Sequence, residues 1–157
     1  MNPAHVHLVL NHIPVFASVF GLGLLAVAIV LRHDAYQRLA LGIFILNALL
    51  TIPVYVTGEP AEGVLGSIDP VPETLIEPHE DAAAVTLTLV EVLGLTALGA
   101  LVSIRRKPAA HRPLVLASVS LGILVVVSTA WTSHLGGLIR HPEITGPAPG
   151  AIQDTLP

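Results

Sequence analysis

The stretch IPVFASVFGLGLLAVAIVL, residues Ile13–Leu31, decides the fold of this chain because it is long, almost entirely apolar and free of charged side chains. At a rise of about 1.5 Å per residue, a helix of this length crosses a hydrocarbon core of roughly 30 Å. Three similar runs follow, at about 39–56, 82–104 and 114–134, and Glu91 is the one charged residue within them. The sequence therefore predicts an all-α protein, a four-helix transmembrane bundle.

The composition indicates the same class of protein. Hydrophobic residues make up 53% of the 157 residues and charged residues only 11%, whereas an ordinary soluble domain carries about 25% charged residues. The first run has no Lys or Arg before it and is longer than the apolar core of a signal peptide, so we expect it to be a retained span. Because Cys is absent, neither disulfides nor thiolate metal ligands are available.

Cationic side chains are concentrated in the two short loops that follow the first and third spans. Six of the seven Lys and Arg residues lie there: Arg32, Arg38, Arg105, Arg106, Lys107 and Arg112. Because cationic loops stay on the cytoplasmic side, we predict a multi-pass protein of the bacterial inner (plasma) membrane with both termini outside (N-out/C-out). The membrane domain would cover residues 1–144 with an outer-side loop at 58–81, and residues 145–157 would form an extended or disordered tail.

Histidines collect on the predicted outer side. Six of the eight fall there: His5, His7, His12, His79, His134 and His141. Of these, His12, His79 and His134 each lie within about one turn of a span, and antiparallel packing brings such span ends to a common depth. We therefore expect at least two of these imidazoles to coordinate one cofactor.

Haem b is the cofactor that this pattern favours. Four-helix bundles hold cofactors between side chains on facing helices, and two neutral imidazoles complete the coordination of a haem iron. The chain has no c-type attachment motif, so the haem would be b-type. We expect His12 and His79 to be the ligands, with His141 and His7 available for a second haem or for exchange into the first. Arg140 would pair with the haem propionates.

Two alternatives remain open at this point. In the first, the histidines hold a zinc, copper or iron ion without haem, for uptake, sensing or catalysis. The candidate ligands of such an ion are His7, His12, His79, His141 and also His134. In the second, the chain is a structural membrane subunit without a cofactor, and the histidines line a wet interface.

Four short motifs resemble those of a family of small, mostly uncharacterised bacterial four-helix membrane proteins with an H-x4-H-[F/I]-P entrance to the first span. They are HLVLNHIPV (His7–Val15), TGEPAE (Thr57–Glu62), HEDAA (His79–Ala83) and LGGLIRHPEI (Leu135–Ile144). The resemblance implies a membrane domain that binds haem b, beside respiratory or photosynthetic electron-transfer modules. The residues that match the family's pattern are His7, His12, His79 and His141, whereas His134 stands where Asn or another polar residue is expected.

The sequence thus predicts a non-catalytic, cytochrome b-like electron-transfer subunit of a larger membrane complex. Its partners would be the lipid bilayer, other membrane subunits and a basic soluble electron carrier that docks on the acidic outer surface; no nucleic acid is expected. Glu91 lies in the middle of the third span, where a carboxylate is expensive. It could relay protons or stay neutral, but we expect it to hydrogen-bond to Asn47, Thr88 or a backbone carbonyl.

Overall fold

The computed structural model describes residues 2–68, 71–106 and 108–141, and every regular element in this part of the chain is an α-helix. The six helices are α1 (Pro3–Leu10), α2 (His12–Leu31), α3 (Asp34–Val56), α4 (Gly58–Ile68), α5 (Glu73–Arg106) and α6 (Pro108–Arg140). The predicted tail, residues 145–157, lies outside the described residues.

Four long segments are apolar enough to cross a membrane: Pro3–Leu31, Asp34–Val64, Glu73–Ile104 and Ala109–Arg140. No more than 39% of the most apolar stretch of any of them is buried inside the bundle. Side chains such as Phe16, Phe20 and Val30 are exposed by 65%, 74% and 79%, which a water-soluble protein of this size would not tolerate as one continuous surface. The prediction of an all-α bundle with four helices long and apolar enough to cross a membrane is confirmed.

Short connections make sequential helices antiparallel neighbours. α2 ends at Arg32, which adopts the left-handed conformation (φ 51°), and the Nδ1 of His33 accepts a hydrogen bond from the backbone N–H of Tyr36 at the start of α3. α5 and α6 form the second hairpin, α3 packs against α5, and α2 closes the bundle against α6. The junctions α2–α3 and α5–α6 lie at one end of the bundle, which we call the α2–α3 end.

Close helix contact in the middle of the bundle depends on two glycines. A Cβ at Gly94 of α5 would lie 2.5 Å from the Cβ of Ala48 on α3. A Cβ at Gly21 of α2 would lie 2.6 Å from a ring carbon of Phe44, which is completely buried. Any larger residue at these positions would push the helices apart, so the glycines set the spacing of α2, α3 and α5.

The opposite end of the bundle carries the two short helices, and we call it the α1–α4 end. Residues 58–81 differ from the expected outer loop, because α4 occupies Gly58–Ile68 and α5 already begins at Glu73. Pro60 stands in the first turn of α4, where a missing N–H costs nothing. α1 packs against α4, so these two helices extend the first and second spans side by side.

Candidate functional site: the paired histidines

His7 of α1 is anchored to the last turn of α3. Its ring is half-buried, and its Nδ1 lies 3.1 Å from the backbone oxygen of Val54 and 3.2 Å from the hydroxyl of Thr57. That hydroxyl lies within hydrogen-bond distance of the carbonyls of Pro53 and Val54, to which it donates. Because a backbone carbonyl only accepts, we assign the ring proton to Nδ1, which leaves the lone pair on Nε2.

His79 of α5 repeats this arrangement against α6. The ring is half-buried, and its Nδ1 lies 3.1 Å from the backbone oxygen of Thr132. The ring approaches α6 closely because residue 136 is glycine, where a Cβ would lie 3.0 Å from the Cε1 of His79. The same reasoning places the proton on Nδ1 and the lone pair on Nε2.

The rings of His7 and His79 interact electrostatically. A positive charge on His79 would repel a positive charge on His7. No described residue hydrogen-bonds to the Nε2 of either ring. The α1–α4 end therefore presents two imidazoles, from different helices, each held at Nδ1 by a backbone carbonyl and each with an Nε2 that no described residue bonds.

The other predicted ligands lie on the outside of the bundle. His12 is exposed; its Nδ1 lies 3.2 Å from the carbonyl of Leu8 in the preceding turn, and its ring stacks on Phe16 with centroids 6.4 Å apart. His134 is also exposed and lies against Trp131, with ring centroids 5.7 Å apart. Among the described residues, His12, His79 and His134 do not form one three-residue group that could hold a metal ion, whereas His7 and His79 are each anchored to a backbone carbonyl and their charges would act on each other.

The remaining predicted site residues lie at the end of α6. Arg140 is the last residue of the helix. The next residue, His141, has an exposed side chain, and its backbone N–H donates a hydrogen bond to the carbonyl of Gly137. The helix continues through Gly136 and Gly137, so the glycine pair does not interrupt it. Because Arg140 stands one turn beyond Gly136, it shares a face of α6 with the glycine that contacts His79.

A buried hydroxyl cluster below His79 was not predicted. The hydroxyl of Thr86 lies 2.6 Å from that of Ser128 and 2.8 Å from that of Thr132, and Thr86 is 6% exposed. Thr86 follows His79 by seven residues and therefore lies on the same stripe of α5. The spacing of seven residues between His79 and Thr86 is the feature of the sequence from which this cluster could have been predicted. The cluster ties α5 to α6 beside the carbonyl that holds His79.

Acidic residues surround this end of the bundle. The negative charges of Glu59, Glu73 and Glu80 act on Glu62, so residues of α4 and of the start of α5 form one acidic surface. Within the described ranges, no group of three or more His, Asp or Glu side chains is arranged so that it could hold a metal ion. The carboxylates therefore do not complete a three-ligand site with the paired histidines.

The hydrogen bond predicted for Glu91 is not formed. Its buried Oε1 has no partner among the described residues. The hydroxyl of Thr88 donates to Ala84 of its own helix, and the amide of Asn47 donates to Ser18 at 3.0 Å. The Oδ1 of Asn47 is buried without a partner among the described residues, as is the Oε1 of Glu91, so the middle of the bundle holds two uncompensated side-chain oxygens.

Comparison with other proteins adds no relative. The chain matches no protein-family model, no curated protein and no solved structure. The resemblance of its motifs to the haem-associated four-helix family therefore stays a prediction from short motifs.

Proposed function

We propose that this protein is a membrane-bound, b-type cytochrome-like subunit that transfers electrons and holds haem b between His7 and His79. One observation carries the proposal: each ring donates from Nδ1 to a backbone carbonyl, Val54 for His7 and Thr132 for His79, at 3.1 Å. This bond fixes the tautomer that offers Nε2 to a metal and raises the basicity of that nitrogen. The proposed ligand pair does not include His12, because its imidazole is exposed and stacked on Phe16.

The residues at this end fit haem b in number and kind. A low-spin haem takes two neutral nitrogen ligands from the protein, and two are present on different helices. Glycine stands beside each imidazole: a Cβ at Gly136 would lie 3.0 Å from the His79 ring and one at Gly58 would lie 3.8 Å from the His7 ring. Arg140 supplies a cation for the propionates on the face of α6 that carries Gly136.

Haem iron with two imidazole ligands exchanges single electrons and has no open position for a substrate. The protein's own contribution is to fix the two rings. α1 brings His7 to the end of α3, the Thr86 cluster joins α5 to α6 next to Thr132, and the apolar spans exclude water below both rings. A non-catalytic electron-transfer role follows from a site of this kind.

The proposal extends to topology and partners. The cations Arg32, Arg38, Arg106 and Arg112 all lie at the α2–α3 end, and the positive-inside rule assigns that end to the cytoplasm. The paired histidines and both termini would then face the outside of a bacterial inner membrane. The acidic surface around Glu62 would receive a basic soluble electron carrier, and the exposed apolar faces would contact lipid and further subunits of a respiratory or photosynthetic complex.

A reduced-minus-oxidised absorption spectrum of the detergent-purified protein tests this function, with pyridine-haemochrome and metal analysis of the same sample. We expect the α-band of a low-spin b-type haem and one iron per chain in the haem. Stoichiometric zinc or copper without a haem band would replace the proposal with the metal-ion alternative. A protein with neither signal, purified from haem-sufficient cells, would leave the structural-subunit alternative.

A further inference from the structure

A cavity that opens to the surface and is lined mainly by polar residues lies between α3, α5 and α6 at the α2–α3 end, far from the paired histidines. Its volume is about 130 Å³, and it is lined by Asp34, Gln37, Arg38, Ile104 and His111. A single water needs only about 10–15 Å³ of such space, so the cavity admits a polar group of several atoms.

His111 gives the cavity a fixed wall. Its Nδ1 donates to the carbonyl of Ala100 at 3.0 Å, so its Nε2 accepts from the amide of Gln37 at 2.6 Å. A weaker contact joins Nδ1 to the hydroxyl of Ser103 at 3.3 Å. The imidazole thus links α6 to α3 and α5, and it holds Gln37 in one orientation with its amide oxygen unbonded by any described residue.

The two charged groups of the cavity do not neutralise each other. Asp34 and Arg38 stand one turn apart on α3, a spacing that allows ion pairs, yet neither forms one with any residue that the structure describes. Both are exposed. The cavity therefore offers one carboxylate and one guanidinium, neither of them paired with a described residue, to a ligand that carries both charges.

The depth of the cavity in the membrane indicates the class of its ligand. Asp34–Arg38 directly precede the apolar run 39–56, His111 precedes 114–134, and Ile104 ends 82–104. These residues therefore lie where the hydrocarbon core meets the lipid headgroups. We propose that the cavity binds the headgroup of a phosphatidylethanolamine, with its phosphate on Arg38 and its primary ammonium on Asp34.

The chemistry of the wall favours this headgroup over the other common ones. A guanidinium recognises phosphate through several N–H donors, and a carboxylate accepts hydrogen bonds from a primary ammonium. A trimethylated ammonium has no N–H to donate, and a headgroup with no cation leaves Asp34 facing a phosphate. Choline and glycerol headgroups should therefore bind less tightly, although Arg38 would still attract their phosphates.

Native mass spectrometry of the purified protein with single lipids tests the proposal. The probes are dioleoyl phosphatidylethanolamine, phosphatidylcholine and phosphatidylglycerol, which share their acyl chains. We expect the ethanolamine lipid to bind about tenfold more tightly than the other two, as a charge-assisted hydrogen bond allows. Asp34→Asn should abolish the preference over phosphatidylcholine, and Arg38→Gln should weaken the binding of all three lipids.

Arg112→Gln is the matched control, because Arg112 is an exposed cation at the same end that does not line the cavity. It should keep the preference of the wild type. Equal binding of the three lipids by the wild type, or an unchanged preference in Asp34→Asn, would overturn the proposal. Competition by soluble glycerophosphoethanolamine as strong as that of the lipid would replace the lipid by a soluble ligand of the same chemistry.

Discussion

His79 of α5 and Thr132 of α6 are joined by a hydrogen bond from the ring Nδ1 to the backbone carbonyl, with 3.1 Å between the two atoms. His7 makes the equivalent bond to the carbonyl of Val54 on α3, also at 3.1 Å. Both rings are thereby fixed in the tautomer whose Nε2 is free to bind a metal. Both rings are held by backbone carbonyls of a neighbouring helix, so their geometry depends on the contacts between the helices.

The contact of His79 with Gly136 is the most direct way to disturb one ring without removing it. Gly136→Ala would place a Cβ 3.0 Å from the ring's Cε1, so the imidazole must shift away from Thr132. We expect the haem affinity to fall on the order of tenfold, as for loss of an outer-shell contact of a metal ligand, measured by haem titration of the apoprotein. Gly137→Ala is the control, since nothing lies within 4 Å of its added Cβ. Equal haem affinity of the two variants would show that His79 does not need this position.

The hydroxyl cluster should contribute to stability through α5–α6 packing. Thr86→Val keeps the shape of the side chain but removes the contacts to Ser128 and Thr132. We expect the free energy of unfolding in mixed micelles to fall by about 1–3 kcal/mol, because buried hydroxyls lose their partner. Thr96→Val on the same helix is the control, since the hydroxyl of Thr96 bonds only to Val92 of its own helix. Equal effects of the two substitutions would mean that the cluster does not stabilise the contact.

Gly94 should be the glycine least tolerant of a side chain. Gly94→Ala brings a Cβ to 2.5 Å from that of Ala48, and such overpacking costs about 1–3 kcal/mol of unfolding free energy. Gly23→Ala, with nothing within 4 Å of the added carbon, should be neutral or slightly stabilising. The double variant Gly94→Ala with Ala48→Gly should recover most of the loss in the same assay. Failure of this rescue would place the strain elsewhere.

The carboxyl of Glu91 should lower the free energy of unfolding of the native protein. Its Oε1 is buried without a partner, and an unsatisfied buried polar group costs about 1–3 kcal/mol. Glu91→Leu should therefore raise the free energy of unfolding by an amount of this order, whereas Glu91→Gln, which keeps a polar group there, should gain little. Destabilisation by Glu91→Leu would show that the carboxyl has a partner in the membrane that the isolated chain lacks.

The fold could be predicted almost completely from the sequence, because length and apolarity alone require a helix in a bilayer. The prolines of residues 58–81 exclude one continuous helix but do not tell where its helices begin and end. Pro60 stands in the first turn of α4, where proline is tolerated, whereas α5 begins at Glu73 and continues through Pro78.

The sequence singles out the histidines near the span ends, but not which of their rings are anchored to backbone carbonyls. His7 and His12 are five residues apart, which corresponds to about 140° around a helix, so both cannot face the interior. The spacing indicates that one of them turns outward but not which one. That choice depends on the end of α3, where Val54 and Thr57 hold His7, and on the turn at Asn11 between α1 and α2.

Single replacement of four of the five candidate histidines, followed by the reduced-minus-oxidised spectrum of each purified protein, tests the proposed pair most directly. His7→Ala and His79→Ala should each abolish the low-spin bis-imidazole spectrum, because each removes one axial ligand. His12→Ala and His134→Ala should retain it, since both rings lie on the outside of the bundle. A low-spin spectrum that survives in His7→Ala and disappears in His12→Ala would contradict the pairing of His7 with His79.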